Sequence, residues 1–286
     1  QSYPHWELIV ADAGGTAESV QAWAKKNGIC LREAADASNL AEWKDQSIVL
    51  CTLSENKGIS ANTNAGIELA AGDAVGLLDH DDLLTANALW EMADCLEKEK
   101  KRGKQKLVLF SDEDKCDGAA SRFYEPNFKP DFDGEMLLTN NYICHFTVIE
   151  TAFLKELKLR SGFDGAQDYD LVLRAYAAGG QFVHVPKVLY HWRCHEASTA
   201  SNPQSKRYAY EAGQRALEDY CLRKGWKATV SGLKHLGFYR EDYEDSVFCQ
   251  RPEIGIWAKP LPGGRDVFGI RHPKGFLVSG LYENDG

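Results

Sequence analysis

No run in the chain approaches the roughly 20 consecutive apolar residues of a membrane-spanning helix, and no basic-then-apolar leader opens it. That leaves no sequence signal for an integral membrane protein. There is no initiator methionine: the chain starts Gln1-Ser2-Tyr3-Pro4, as a fragment does. It also lacks an excess of basic residues. Lys plus Arg number 33 against 42 Asp plus Glu, a net charge of -9, which argues against a general nucleic-acid binder needing cationic surface to replace phosphate counterions. No C-x-x-C pair or zinc-like cluster occurs among the eight cysteines (Cys30, Cys51, Cys95, Cys116, Cys144, Cys194, Cys221 and Cys249). Scattered thiols, several in apolar runs, read as free, buried side chains in a reducing compartment rather than as a disulfide framework. Internal repeats, low-complexity tracts and clear linkers are missing too.

What is present is an ordinary globular composition, 44% hydrophobic and 26% charged over 286 residues, enough for one large or two small domains. Glu7-Leu8-Ile9-Val10-Ala11-Asp12 is a short apolar run ending in a carboxylate, the pattern of a buried parallel strand. Thr16 is a plausible N-cap for a helix whose apolar face is Val20, Trp23 and Ala24 and which stops at Asn27-Gly28. Further strands are expected at 48–52, 74–78, 106–110 and 181–185. Helices are expected at 62–71, at 85–101 (Leu89, Met92, Ala93 and Leu96 facing inward), at 168–178 and at 205–224 (Ala209, Ala212, Ala216 and Tyr220 on one face). Residues 116–130 read as a long loop or short hairpin. From Trp226 the chain is β-like and turn-rich, with hairpins expected within 267–282. Strands alternating with helices describe an open α/β sheet, whose ligands bind at the carboxyl ends of strands.

Acidic residues fall at those ends. Leu77 to Leu84 reads L-L-D-H-D-D-L-L. Three carboxylates in four residues repel one another, and a divalent cation would relieve the repulsion, with Asp79 and Asp81 able to share Mg²⁺ or Mn²⁺ and phosphate oxygens. The plain alternative is a solvated turn that caps the next helix. Upstream lie Asn64-Ala65-Gly66 and Ala71-Gly72-Asp73. Downstream lie Ser111-Asp112-Glu113-Asp114-Lys115, Asn141-Tyr142 with His145, Gln167-Asp168-Tyr169-Asp170-Leu171 with Arg174, and Tyr190-His191-Trp192-Arg193. In this order and approximate spacing, over about residues 3–240, the chain resembles the family 2 inverting glycosyltransferases of the GT-A fold. Within them it is similar to enzymes of bacterial O-antigen and rhamnose-type polysaccharide assembly.

The resemblance implies an α/β GT-A domain over residues 1–240 and a helical and β-rich extension over 241–286. That extension faintly resembles part of a further unit in longer chains. The implied activity is metal-dependent transfer of a sugar, hexosyl or deoxyhexosyl, from a nucleotide-diphospho-sugar to a hydroxyl of a glycan or lipid-linked acceptor. The implied cofactor is Mn²⁺ or Mg²⁺. The implied location is cytoplasmic, at the inner membrane face where the acceptor is lipid-linked. By resemblance, Asp168 is the base that deprotonates the acceptor. Asp12, Asn64, Asp79, Asp81, Asp82 and Arg193 belong to the nucleotide and donor, and Asp81 with His191 to the metal. Asp112, Asp114, Asn141 and His145 lie by the donor sugar or acceptor. Several have a structural alternative: Asp168 as a helix N-terminal charge, His191 and His145 as satisfied buried imidazoles, Asp112 and Asp114 as a solvated turn. Asp170 is read as a structural partner of Arg174 at i+4.

Three departures from the family pattern stand out. Ala13-Gly14-Gly15 replaces the D-G-S that follows the base-contacting Asp. Gln167 replaces a glutamate. The first strand ahead of Tyr3-Pro4 is missing, so the natural protein is expected to start upstream, or this chain to be an incomplete, non-catalytic piece with an open sheet edge at Glu7–Asp12. A Mg²⁺-dependent phosphohydrolase built on strand-D-x-D is the other enzyme class weighed. Leu83 stands where its Thr or Val belongs, and no lysine and acidic pair follows.

Overall fold

The computed structural model describes residues 1–34, 45–194, 207–244, 255–260, 266–271 and 277–281. Its first strand, β1 (Glu7–Asp12), has the expected bounds. It is followed by α1 (Ala17–Asn27), β2 (Cys30–Ala34) and β3 (Ser47–Thr52). β3 lies between β1 and β2 and runs parallel to both. Five of its six residues are buried, as a strand covered on both faces requires. α1 stops where expected, at Gly28 in the left-handed region with φ 64°, a conformation glycine adopts without a Cβ penalty. Its start differs. Thr16 holds the N-cap position, but its hydroxyl donates to Asp12 Oδ1 at 2.9 Å while Asp12 Oδ2 accepts the Ala17 N–H at 2.9 Å. The carboxylate at the strand end has taken over the capping.

α2 (Ile59–Leu69) starts three residues earlier than the apolar pattern suggested. Gly58 enters it at φ 94°, where a Cβ would sit 2.6 Å from the Asp164 carboxylate, and Asp164 accepts the Ser60 N–H at 3.4 Å. This long-range docking extends the helix beyond what local residues show.

The second sheet has the order β4 (Ala74–Gly76), β8 (Thr147–Glu150), β6 (Leu107–Asp117), β9 (Gln181–Cys194) and β5 (Leu83–Leu84), with β7 (Phe123–Asn127) paired to β6 as a hairpin. Only β6 and β9 are parallel in it; the other pairs are antiparallel. On one face α2, α5 (Thr151–Leu157) and α6 (Gln167–Ala177) bring Ile67, Phe153, Leu154 and Leu171 onto Val108 and Ile149. On the other, α3 (Ala88–Lys101) brings Ala88 and Met92 onto Leu109, Val148 and Tyr190. Adjacent β6 residues point to opposite faces, so covering both faces demands the unbroken run Leu107-Val108-Leu109-Phe110.

β6 and β9 run well past the strands expected at 106–110 and 181–185. Their polar second halves continue the ladder, so Asp112 and Asp114 lie in a strand rather than a solvated turn. Two register shifts interrupt it: Ser111 faces Val185, Asp112 faces Val188 and Glu113 faces Tyr190. β4 ends at Gly76, two residues before its expected end, and releases the acidic segment as a turn. α4 (Gly134–Thr139), β8 and α5 had no expected counterpart.

α7 (Arg207–Arg223) buries Ala212, Ala216 and Tyr220 as expected; residues 205 and 206, placed in this helix from sequence, lie outside the described residues. β10 (Ala228–Gly232) and β11 (Tyr239–Tyr243) form a two-stranded sheet. β12 (Gly255–Pro260), β13 (Asp266–Arg271) and β14 (Leu277–Leu281) form an antiparallel meander, which includes the hairpin expected near the end. The chain divides into two compact units, Gln1–Gly225 with Thr229–Glu241, and Trp226–Ala228 with Asp242–Gly286. The seven described cysteines are free thiols; Cys249 lies outside the described residues.

Candidate active site

The turn after β4 carries Asp79, His80, Asp81 and Asp82 to the edge of the sheet, where β5 and β9 pair. Asp82 is the buried anchor of the turn, 8% exposed. Its Oδ2 accepts the Tyr190 hydroxyl at 2.5 Å and its Oδ1 accepts the Arg193 N–H at 2.8 Å. Arg193 closes the clasp: its Nε donates to the Asp81 carbonyl at 2.6 Å and Nη1 to the Gly118 carbonyl at 2.8 Å. The acidic turn is thus held by the Asp82 carboxylate and the Asp81 carbonyl, and its carboxylates are kept close against their repulsion.

Asp79 shows that repulsion. Desolvation in the cleft, then the like charges of Asp82, Asp168 and Asp81, push its carboxyl up to about 6, an effect that solvent moderates because the side chain is 58% exposed. His145 Nε2 lies 3.5 Å from Asp79 Oδ2. The imidazole packs edge-on to Tyr190 and stacks over Trp192. Burial, and then the Lys129 charge, pull its pKa down to about 3, so the ring is neutral near pH 7. Ligand atoms of Asp79, Asp82 and His145 all lie within 4.8 Å of one another. The two carboxylates supply the oxygen ligands that Mg²⁺ and Mn²⁺ take, the neutral imidazole suits the transition metal of the two better, and a cation among them would relieve the crowding at Asp79. The donor set therefore fits the divalent cation that the resemblance implies.

Asp168 lies in the first turn of α6, partly buried. Burial raises its pKa, while hydrogen bonds from Cys144, the Tyr169 backbone and Asn141 pull the other way. Asn141 Nδ2 donates to Asp168 Oδ2 at 3.0 Å. The charge of Asp168 is felt at Asp79, and the 141–145 segment touches both, through Asn141 on Asp168 and His145 on Asp79. A carboxylate at a helix N-terminus, held by an amide and a thiol, is equipped to accept a proton.

The remaining candidates hold structure in this geometry. Asp12 accepts the Gly14 N–H (3.1 Å), the Thr16 hydroxyl and the Ala17 N–H, and the Gly14 bond foremost keeps its pKa below the usual value. Asn64 uses both ends of its amide on Leu159, accepting from its N–H and donating to its C=O, each at 2.8 Å. Asp112 accepts the Lys129 N–H at 2.9 Å and pairs with His184 at 2.8 Å. His191 Nδ1 is 2.5 Å from Asp114 Oδ1 and carries Phe123 against its ring. β9 alternation puts His191 on the opposite side of the strand from Tyr190, so it is His145 that joins the Asp79 and Asp82 ligand atoms. Asp170 does bond Arg174, as expected at i+4, and the partly buried Arg160 and Asp219 extend the ion pair into a network.

Sequence reasoning missed Tyr190 as the Asp82 partner, Cys144 beside Asp168, and the buried pair Lys129 and Glu113. Their partners lie 14 to 108 positions away, beyond any local pattern. For Lys129 the sole local signal is an isolated lysine in the aromatic stretch Phe128-Lys129-Pro130.

Parallel strands flanked by helices, with an acidic turn at the strand ends, define an α/β fold of the GT-A type. The solved structure of S. aureus TarS 1-349 shares it at a TM-score of 0.50 and 16% identity, over 78% of this chain and 64% of that one. The profile of the family Glycosyl transferase family 2 matches residues 1–157, and the chain belongs to that family. Among curated relatives, protein y4gI of Sinorhizobium fredii is 36% identical over 231 residues, 80% of this chain and 23% of that protein. The O-antigen biosynthesis protein RfbC of Myxococcus xanthus is 33% identical over 232 residues, 81% of this chain and 17% of that one. The chain therefore spans about a fifth of the length of these relatives. The family match leaves the phosphohydrolase alternative without support. Among the described residues no helix is long and apolar enough to cross a membrane.

Proposed function

We propose that the chain transfers a sugar, with inversion, from a nucleotide-diphospho-sugar to a hydroxyl of a glycan or lipid-linked acceptor in surface polysaccharide synthesis. The observation that carries this reading is that one segment, residues 141–145, meets two acidic centres: Asn141 donates to Asp168 at the start of α6, and His145 groups with Asp79 and Asp82. Asp168 takes the proton of the acceptor hydroxyl. The oxygen so freed forms its bond to the anomeric carbon as the bond from that carbon to the diphosphate breaks, the electron pair leaving with the nucleoside diphosphate. Asp79, Asp82 and His145 would hold Mn²⁺ or Mg²⁺, which when bound supplies neutralising charge for the departing diphosphate.

Asp81 stays with the cation and the donor in this reading, and Arg193 acts by fixing the turn that presents both. Asp12, through its cap on α1, shapes the wall where a base would lie. Names of relatives support the polysaccharide context: RfbC is an O-antigen biosynthesis protein, and AmsB of Erwinia amylovora, an amylovoran biosynthesis glycosyltransferase, is 28% identical over 206 residues, 67% of this chain and 62% of that one.

Asp168→Asn is the decisive substitution. It keeps the shape and the Asn141 contact but cannot take a proton, so kcat should fall on the order of 10²–10⁴-fold while calorimetric affinity for nucleoside diphosphate with Mn²⁺ stays close to wild type. Undiminished turnover in this variant would remove Asp168 from the role of base.

A further inference from the structure

Glu113 and Lys129 form a buried charge pair that the transfer chemistry does not use. The Lys129 side chain is 1% exposed and its Nζ is 3.9 Å from Glu113 Oε2. Lysine is almost never buried this completely without a specific partner, and the ammonium's closest contacts here are backbone carbonyls. Nζ donates to the carbonyls of Ile143 at 2.9 Å and His145 at 2.5 Å. Glu113 Oε2 accepts the His145 N–H at 2.7 Å. Both backbone polar groups of His145 therefore end on this one pair. The pair is itself anchored: the Lys129 N–H on Asp112 at 2.9 Å, and Glu113 Oε1 on Asn127 at 3.2 Å.

The segment so gripped serves both acidic centres. Asn141 and Cys144 reach Asp168, and one residue further on His145 reaches Asp79. Moving the backbone of residues 141–145 would shift both contacts together. An ammonium with three donors can hold two carbonyls and face a carboxylate at once, which an apolar side chain of the same volume cannot.

We propose that Lys129, together with Glu113, is a positioning residue: it fixes the 141–145 segment so that Asn141 and Cys144 meet Asp168 while His145 meets Asp79. The proposal deepens the site reading above and rests on it for the role of Asp79 and Asp168. Lys129 touches no reacting atom; it acts through the 141–145 segment, and on the cation site through His145.

The test uses the full chain and the variants Lys129→Met, Glu113→Gln, His145→Ala and the double variant Lys129→Met/His145→Ala, each checked for a cooperative melt and assayed well below it. Two readouts are taken: Mn²⁺ affinity by calorimetry, and the rate of His145 modification by diethylpyrocarbonate in metal-free protein, followed by mass spectrometry. Lys129→Met should weaken Mn²⁺ binding roughly tenfold or more, the range seen when groups that orient metal ligands are removed, and should make His145 react several times faster. The double variant should bind Mn²⁺ no worse than His145→Ala alone. Glu113→Gln, which keeps an acceptor for the His145 N–H, should move both readouts in the same direction by less, and it decides the matter if Lys129→Met does not fold.

Folded Lys129→Met with unchanged Mn²⁺ affinity and unchanged His145 reactivity would overturn the proposal. So would additive losses in the double variant, because Lys129 would then not act through His145. Wild-type protein that binds no Mn²⁺, combined with faster His145 modification in Lys129→Met, would overturn the cation reading of the site and leave the positioning role standing.

Discussion

Asp79 ties protonation to the emptiness or occupancy of the cleft. Its carboxyl is pushed from the ordinary 3.8 up to about 6 by desolvation and neighbouring carboxylates. A folded-state pKa above the unfolded one means that the folded chain binds the proton more tightly, so ionising Asp79 costs stability. Without metal, that cost is absent below about 4 and grows as pH rises through about 6. Asp79→Asn in the presence of a chelator should therefore melt above wild type near neutral pH, with the advantage shrinking as the buffer is taken down toward about 4. Thermal melts across that range check it; a constant difference would show that the gain is unrelated to charge. Solvent at the half-exposed carboxylate limits its size. Residues of this kind were legible in the sequence. Three carboxylates in four residues after an apolar strand, and an aspartate opening a helix, are signals carried by neighbouring positions. Lys129 was not legible, because in sequence a buried lysine looks like any surface lysine until the carbonyls it serves are known.

Among elements, α2 is joined to the loop following α5 by the Asn64 amide, beside the Lys158–Glu68 ion pair at 2.7 Å. Asn64 mimics a strand edge for Leu159, taking its N–H and its C=O at once. Asn64→Ala should lower unfolding free energy by about 1–3 kcal/mol, the cost of leaving buried backbone groups unpaired, measurable by urea denaturation. Metal-dependent nucleotide affinity should change little, since both ends of the amide are already held on Leu159; a large loss of affinity at unchanged stability would restore Asn64 to the donor. Most strands and helices could be placed from periodicity, and β1 and the stop of α1 fell where expected. The misplaced bounds of three elements share a cause. α2 was drawn longer by Asp164, and β6 and β9 were drawn longer by each other, through polar residues that alternate against a partner instead of against a core.

For the whole molecule, the division into two compact units bears directly on where activity resides. Every side chain assigned to the cleft, from Asp12 to Arg193, comes from the unit containing Gln1–Gly225. A chain ended after Glu244 should accordingly show the Mn²⁺ affinity of the full chain by calorimetry, and a marked loss would mean that residues beyond 244 complete the site. The α/β architecture was readable from the alternation of strands and helices. Its mixed strand directions were not, since β8 and β5 are four and two residues long and carry little periodicity of their own.

The irregular register between β6 and β9 has a consequence for how such a scaffold can change over evolutionary time. Downstream of Glu113 and Tyr190 the strand regains strict alternation, so the short stretch before it sets the phase of the cleft. Deleting a single residue there, Lys187 for example, would exchange the sides of β9: the phenol of Tyr190 would turn away from Asp82 and the next residue's imidazole would swing toward it. Point substitutions on this strand can adjust the site gradually, whereas length changes within 186–189 replace its whole lining in one event. Related chains that differ in length there should therefore differ in chemistry by a jump, while those of equal length grade into one another.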